Sequence, residues 1–383
     1  MRKADEKMAQ NNLPSVTVDT FCKIVELQFK ENNFRPIFGL GKGGIGKTES
    51  ICDLAKKLNV GYIDIRLLLY SETDLKGIPY PNVEHTHTIW LQNNILPLAE
   101  RDGERGILVF DEITSCARSV RTAAYQLLNE RRLGEYVLPE GWLVVCLGNG
   151  EEDGGDYQGM EGNFANRCSV FNVEPNVEAW KLWAMAKNVN ELVTAYVSFK
   201  PSDLHSYDPD SSTELLFASP RSWTAVSTLL NIYGYNENDN VLANRIMANL
   251  GTTVGRNFLS FCKFKDKTIN PMEIIQYGVK FKPDSQEVIY ITLHSVSKIL
   301  SDRILEEVNA GKSVNNLSPE IYQWAANTFR WMMSLRKEYA VMGIDDFKSR
   351  AQDVLASFIV SAPFNRACPE FISFVTQNSR VYF

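Results

Sequence analysis

The stretch Gly39-Leu40-Gly41-Lys42-Gly43-Gly44-Ile45-Gly46-Lys47-Thr48 has the residue types and spacing of a phosphate cradle. From Gly41 it reads G-x-x-x-x-G-K-T. Backbone N–H groups of such a loop surround phosphate oxygens, Lys47 reaches the terminal phosphates and the Thr48 hydroxyl ligates Mg²⁺. The expected nucleotide-contacting set is Gly41, Lys42, Gly43, Gly44, Ile45, Gly46, Lys47, Thr48 and Glu49, with ATP and Mg²⁺ as ligands. Read from Lys42, the same stretch is also K-G-G-x-G-K-T, a variant in which the extra lysine crosses a dimer interface. Both patterns bind a nucleotide, so the rest of the chain must separate them.

A second set of chemical groups ends the run Ile107-Leu108-Val109-Phe110-Asp111-Glu112. Four apolar residues bury a strand, and two carboxylates emerge at its C-terminal end, where ligands of open α/β sheets bind. Asp111 is placed to hold Mg²⁺ through its water shell and Glu112 to polarise an attacking water. His85-Thr86-His87 could clamp a metal from one strand face or be a solvated loop pair, and the four histidines are otherwise dispersed.

The elements that must position these groups follow from periodicity. Arg35-Pro36-Ile37-Phe38 leads into the glycine loop, after which Ile51, Leu54, Ala55 and Leu58 mark one helix face. Val60–Ile65, Ile107–Phe110 and Trp142–Leu147 are unbroken apolar runs suited to central strands of a parallel sheet covered on both sides. Val120, Ala124, Leu127 and Leu128 predict a helix ending near Arg131. After Pro175 the pattern is mainly helical. The polar stretch Pro201–Ser212 reads as a loop or seam, Asp284 with Glu287 as a capping box, and Ser318-Pro319 as the start of another helix.

The chain has 383 residues, more than one core accommodates, so several domains are expected. The assignment is an N-terminal helical segment at 1–33, an α/β nucleotide-binding core at 34–174, a helical lid at 175–268 and a helical C-terminal extension at 269–383. A net charge of −6 gives no global attraction to nucleic acid or anionic membranes. Seven scattered cysteines without a C-x-x-C pair argue against a disulfide framework or zinc site. The polar N-terminus lacks the apolar run of a leader, and no stretch is long enough to span a membrane. A cytoplasmic setting is the expectation.

Several stretches together resemble the AAA+ superfamily, specifically the MoxR branch with its dynein-related ATPase module. In order they are Gly41–Thr48, IDIRLLLYSETDLKGIP (63–79), Asp111-Glu112, AAYQLLNERRLGEYVLPEGW (123–142), Gly148-Asn149, Ala165–Arg167 and SPRSW (219–223). The likeness covers roughly residues 34 to 265. The partitioning ATPases of the ParA and MinD type, which own the K-G-G-x-G-K-T variant, lack the adjacent glutamate and carry the loop near the N-terminus before a Thr-Thr pair. Here Thr48 is followed by Glu49, so Lys42 reads as a solvent-facing loop residue.

The resemblance implies an α/β three-layer AAA+ core with a parallel sheet, followed by a helical lid. It matches Asn149 to sensor 1, orienting water beside Glu112. Arg167 matches an arginine finger acting on a neighbouring subunit's γ-phosphate, and Arg221 matches sensor 2. It further implies a homo-oligomeric, hexameric ring and a von Willebrand factor A-domain partner, with chaperone-like remodelling as the work done. Glu130–Pro139 resembles the hairpin before sensor 1, with Arg131 and Arg132 facing a pore or neighbour, or else a plain solvated loop. Ser71–Trp90 resembles a substrate-facing insertion, with the same alternative. Glu151–Gly162 reads as a mobile connection. Two rival functions are a nucleic-acid motor or restriction-type ATPase, which would need a basic track, and a nucleotide-gated scaffold without turnover.

Overall fold

The computed structural model describes residues 13–92, 94–150, 166–207 and 216–377. They fall into two compact units. One runs up to Asn176 and takes in Tyr207; the other comprises Val177–Ser206 and the chain from Leu216 onward.

The first unit is built on a six-stranded sheet. Its elements are β1 (Ser15–Thr17), α1 (Val18–Lys30), β2 (Ile37–Leu40), α2 (Lys47–Leu58), β3 (Gly61–Arg66), α3 (Glu72–Lys76), β4 (Ile78–Pro81), β5 (Thr88–Leu91), α4 (Ala99–Asp102), β6 (Arg105–Asp111), α5 (Arg118–Glu130), β7 (Arg132–Leu133), β8 (Tyr136–Val137), β9 (Gly141–Gly148) and β10 (Ser169–Glu174). Strand order is β1-β10-β2-β9-β6-β3, and all pairings in this sheet are parallel.

The unbroken apolar runs divide between two faces because side chains alternate along a strand. Ile107 and Val109 of β6, with Leu143, Val145 and Leu147 of β9, pack with Phe21 and Val25 of α1 and Ile51 and Leu54 of α2. Leu108 and Phe110, with Trp142, Val144 and Cys146, pack on the other face with Val120, Ala124 and Leu127 of α5. The α/β fold with a covered parallel sheet is therefore as expected, but β3, read from the sequence as a central strand, lies at the sheet's edge, and its pattern, broken by Asp64, is only partly buried. Each of the four side chains from Ile107 to Phe110 is fully buried, and burying such a side chain stabilises by about 1.5–3 kcal/mol before entropy is counted.

Three local features differ from the sequence reading. Ser15–Thr17, within the segment assigned as helical, forms edge strand β1 in register with Asn172–Glu174, and Thr17 Oγ1 then caps α1 by accepting from Thr20 N. Glu130–Pro139 does form a hairpin, β7 with β8, but Arg131 turns inward. It ends α5 in the left-handed region (φ 53°) and donates to the carbonyls of Pro139, Glu140 and Trp142 at 2.7, 3.2 and 2.9 Å. Three carbonyls satisfy a guanidinium better than a pore-facing position would, and only Arg132 remains exposed. Within 71–90, β4 and β5 pair as an exposed antiparallel hairpin. His85 and His87 lie at its exposed tip, where Asn82 Oδ1 accepts from the backbone of Thr86 and His87. Among the described residues no cluster of three metal-ligating side chains exists.

The second unit is helical: α6 (Val177–Ala186), α7 (Glu191–Phe199), α8 (Pro220–Tyr233), α9 (Asn240–Leu250), α10 (Thr252–Cys262), α11 (Pro271–Tyr277), α12 (Gln286–Asn309), α13 (Pro319–Ser334), α14 (Lys337–Ser349), α15 (Gln352–Ile359), α16 (Ala362–Ala367) and α17 (Pro369–Gln377). One apolar cluster gathers residues from Trp180 to Cys262, and another gathers residues from Ile274 to Phe371. The long helix α12 serves both, placing Ile291 in the first and Leu293, Val296 and Leu300 in the second. Its cap is Ser285, whose Oγ accepts from Val288 N, rather than Asp284, because the helix begins one residue later than the capping-box reading required. Ser318-Pro319 does open α13. Among the described residues no helix is long and apolar enough to cross a membrane.

Candidate nucleotide site

The glycine loop joins β2 to α2, and its geometry demands its residue types. A Cβ on Gly41 would lie 2.1 Å from the Val173 carbonyl oxygen. Gly46 sits at φ 93° as the cap of α2, a conformation that side chains resist. Between them Ile45 is buried in the core cluster with Ile51 and Leu54, pinning the loop at the N-terminus of α2. Such an end attracts anions. Gly41 N donates to the Gly148 carbonyl at 3.1 Å, which ties the loop to β9.

Lys47 is 7% exposed, yet its Nζ donates to the carbonyls of Gly41 and Lys42 at 2.6 and 2.9 Å and lies 3.4 Å from Asn149 Oδ1. A buried ammonium needs this full set of acceptors. Lys42 contributes its carbonyl, and its side chain is half-buried rather than fully solvent-facing. Glu49 is exposed in the first turn of α2.

Thr48 Oγ1 donates to Asp111 Oδ2 at 2.8 Å, so the hydroxyl and carboxylate assigned to Mg²⁺ are adjacent although 63 positions apart. Two hard oxygen donors and a phosphate cradle suit Mg²⁺, which takes few protein ligands and keeps waters and phosphate oxygens for the rest. Asp111 Oδ1 accepts from Glu112 N at 2.9 Å. Glu112 itself has φ 57°, an unfavourable backbone for a non-glycine residue and one found most often where function holds it. Its carboxylate lies 3.9 Å from Arg66 Nε.

Asn149 follows β9, the strand inserted between β2 and β6. That order puts the end of β9 between Lys47 and the Asp111-Glu112 pair. Thr114, buried two residues beyond Glu112, fixes Asn149 by accepting from its N–H at 3.2 Å and donating to its carbonyl at 3.1 Å. Sequence reasoning gave no role to Thr114, which belongs to no motif, or to Arg66, which lies within the 63–79 stretch but is brought to the site only by the register Arg66↔Asp111. The Asp64 carboxyl, also on β3, is pushed up, first by desolvation and then by the charge of Asp111, while Arg66 pulls the other way.

Lys47, Thr48, Asp111, Glu112 and Asn149 are thus brought together at one edge of one sheet. Arg167 is exposed in the turn just before β10 of the same unit. Arg221 belongs to the second unit, exposed in the first turn of α8 behind the Ser219 cap. The acidic stretch 151–162 lies outside the described residues.

No protein-family model and no curated protein matches the chain. Among solved structures it is similar to Hsp104 in a closed state with ATPγS and FITC casein, at 16% identity over 68% of this chain and 47% of that one, TM-score 0.37. It is similar to NtrX from Brucella abortus at 11% identity over 97% and 72%, TM-score 0.37. It is also similar to PCH-2 from C. elegans at 12% identity over 67% and 71%, TM-score 0.32.

Proposed function

We propose that the chain is an ATPase of the AAA+ superfamily, of the MoxR type, that hydrolyses ATP at interfaces between its copies to remodel partner proteins. The observation that carries this reading is the convergence of Lys47, Thr48, Asp111, Glu112 and Asn149 through the placement of β9 between β2 and β6. A phosphate loop alone would support binding; the strained glutamate beside it and the amide opposite support hydrolysis.

In this proposal the loop amides and Lys47 bind the phosphates, with Lys47 exchanging its carbonyl partners for phosphate oxygens. Thr48 and Asp111 would hold Mg²⁺, which when bound would supply charge neutralisation to the phosphates. Glu112 and Asn149 orient a water in line with the γ-phosphorus. Its oxygen forms the new P–O bond as the bond to the ADP oxygen breaks, and Glu112 accepts the displaced proton. Arg167, exposed on one copy, reaches the γ-phosphate of the next. Arg221 is a cation in the first turn of a helix, where the macrodipole opposes it by roughly 0.3–1 kcal/mol; an anionic ligand offsets that. The domain divisions at 33/34, 174/175 and 268/269, the hexameric ring, the von Willebrand factor A-domain partner and a cytoplasmic setting belong to the same reading, on the strength of the ordered motifs.

The test is Glu112→Gln. The amide keeps the shape but loses the charge, so ATP should bind with near wild-type affinity while phosphate release falls by about 10² to 10⁴. Release within a few fold of wild type would remove Glu112 from catalysis, and wild-type protein that binds ATP without turnover would leave a nucleotide-gated scaffold.

A further inference from the structure

The helical unit contains a cleft of about 720 Å³ between the irregular segment 278–285 and the C-terminal part of α13 with the start of α14. Its construction follows from one indole. Trp331 is 4% exposed, and its Nε1 donates to the Phe281 carbonyl at 2.9 Å, holding the segment over the helix. Phe281 and Pro283 are half-buried, whereas Lys280 and Lys282 are exposed. The segment is not a strand: Phe281 N donates to the Val279 carbonyl at 2.9 Å, a tight turn that presents Lys280 outward. Ile289, Leu335 and Tyr339 complete an apolar lining.

The rim is cationic. Lys280, Lys282, Arg330 and Arg336 line it against one acidic side chain, Asp284. Arg330 is occupied by Glu370 and the Ala367 carbonyl. Among the described residues the other three cations have no acidic side chain within ion-pairing distance. In a chain of net charge −6, such a concentration over an apolar floor is a local departure from the average. Tyr277 and Val279 beside it are 76% and 37% exposed.

We infer that this cleft binds an acidic peptide segment in extended form, with carboxylates on the lysine rim and intervening apolar side chains on the floor. Charge complementarity between the cationic rim and carboxylates, above an apolar floor, favours such a peptide. A single nucleic-acid strand would need exposed aromatic faces along its path for stacking; inside the cleft Trp331 is buried and Tyr339 packs edge-on against Tyr290 at 6.0 Å, and the exposed ring of Tyr277 lies outside the lining. The inference stands on the helical unit alone and does not depend on nucleotide hydrolysis.

The experiment titrates a fluorescein-labelled peptide of alternating Glu and Leu with the full chain and reads anisotropy. Saturable binding that weakens with salt is expected, and the same peptide with Lys for Glu should not bind. The double variant Lys280→Glu/Lys282→Glu, at exposed positions, should weaken binding at least about tenfold. Ser334→Trp, which fills the cleft without changing charge, should do the same, and both variants should keep the wild-type melting temperature. Absence of saturable binding, or equal binding by both variants, overturns the proposal. So does tighter binding of oligothymidylate that is lost in the same double variant, which would make the rim a nucleic-acid track.

Discussion

Glu112 rests its carboxylate 3.9 Å from Nε of Arg66, across the register that pairs β3 with β6, while its own backbone stands at φ 57°. The pair is solvent-accessible, with half of the Arg66 side chain exposed, so its contribution to stability is at most about 1 kcal/mol. Under the proposed function its effect is on aim, because it sets the direction of the carboxylate proposed to act on water. Arg66→Ala should leave the urea midpoint nearly unchanged and shift kcat severalfold. Unchanged kcat would show that the pairing has no bearing on turnover.

Lys47 and Lys42 separate the two readings of the glycine loop. Lys47→Ala removes the buried ammonium proposed to bind the phosphates and should abolish binding of a fluorescent ATP analogue. Lys42→Ala should change neither binding nor hydrolysis by much, since Lys42 offers the loop its carbonyl. Loss of hydrolysis with intact binding in Lys42→Ala would revive a lysine acting across an interface.

Arg131 should behave as a structural residue. Its guanidinium donates to three carbonyls and lies 5.6 Å from the centre of the Phe34 ring. Desolvation lowers its pKa, and the carbonyl contacts offset that penalty. Arg131→Ala should cost about 2 kcal/mol or more in chemical denaturation, with ATP turnover per folded molecule unchanged. Wild-type stability would mean that the inward bonds contribute nothing.

In the helical unit, Asp346 is buried between Arg350, at 3.1 Å, and His294, whose Nδ1 is 2.9 Å away. Burial by itself raises its pKa, but the Arg350 charge and the His294 contact override this and hold it at about 2. A folded pKa below the ordinary value near 3.9 gives stability that is present above about pH 4 and lost as pH falls towards 2, on the order of 2 kcal/mol. Melting temperature followed over that window should fall more steeply for wild type than for Asp346→Asn, which starts lower but cannot titrate. Parallel curves would show that the carboxylate is not held down.

What could be read from the sequence was what depends on local pattern. The glycine loop, the Asp111-Glu112 strand end and the buried runs of β6 and β9 announce themselves because spacing and burial impose residue type at each position. β1 could not be seen: three residues with partly exposed side chains become a strand only because Asn172–Glu174 lies alongside. Arg131 was misplaced because nothing in its neighbours reveals that three carbonyls will surround it. Thr114 and Arg66 likewise acquire roles only through sheet order and register.

The central claim, hydrolysis between copies, is tested most directly by mixing two inactive variants. Arg167→Ala should bind ATP through its own intact loop yet hydrolyse poorly, because arginine fingers supplied in trans are worth roughly 10³ to 10⁵ in rate. Glu112→Gln fails for the complementary reason. Mixed assemblies contain interfaces that join an intact Glu112 to an intact Arg167, which neither variant forms alone. The predicted result is ATPase activity that reappears on mixing and depends on protein concentration. Full activity of Arg167→Ala by itself, or no recovery in mixtures shown to co-assemble, would contradict the claim and leave each copy a self-contained site.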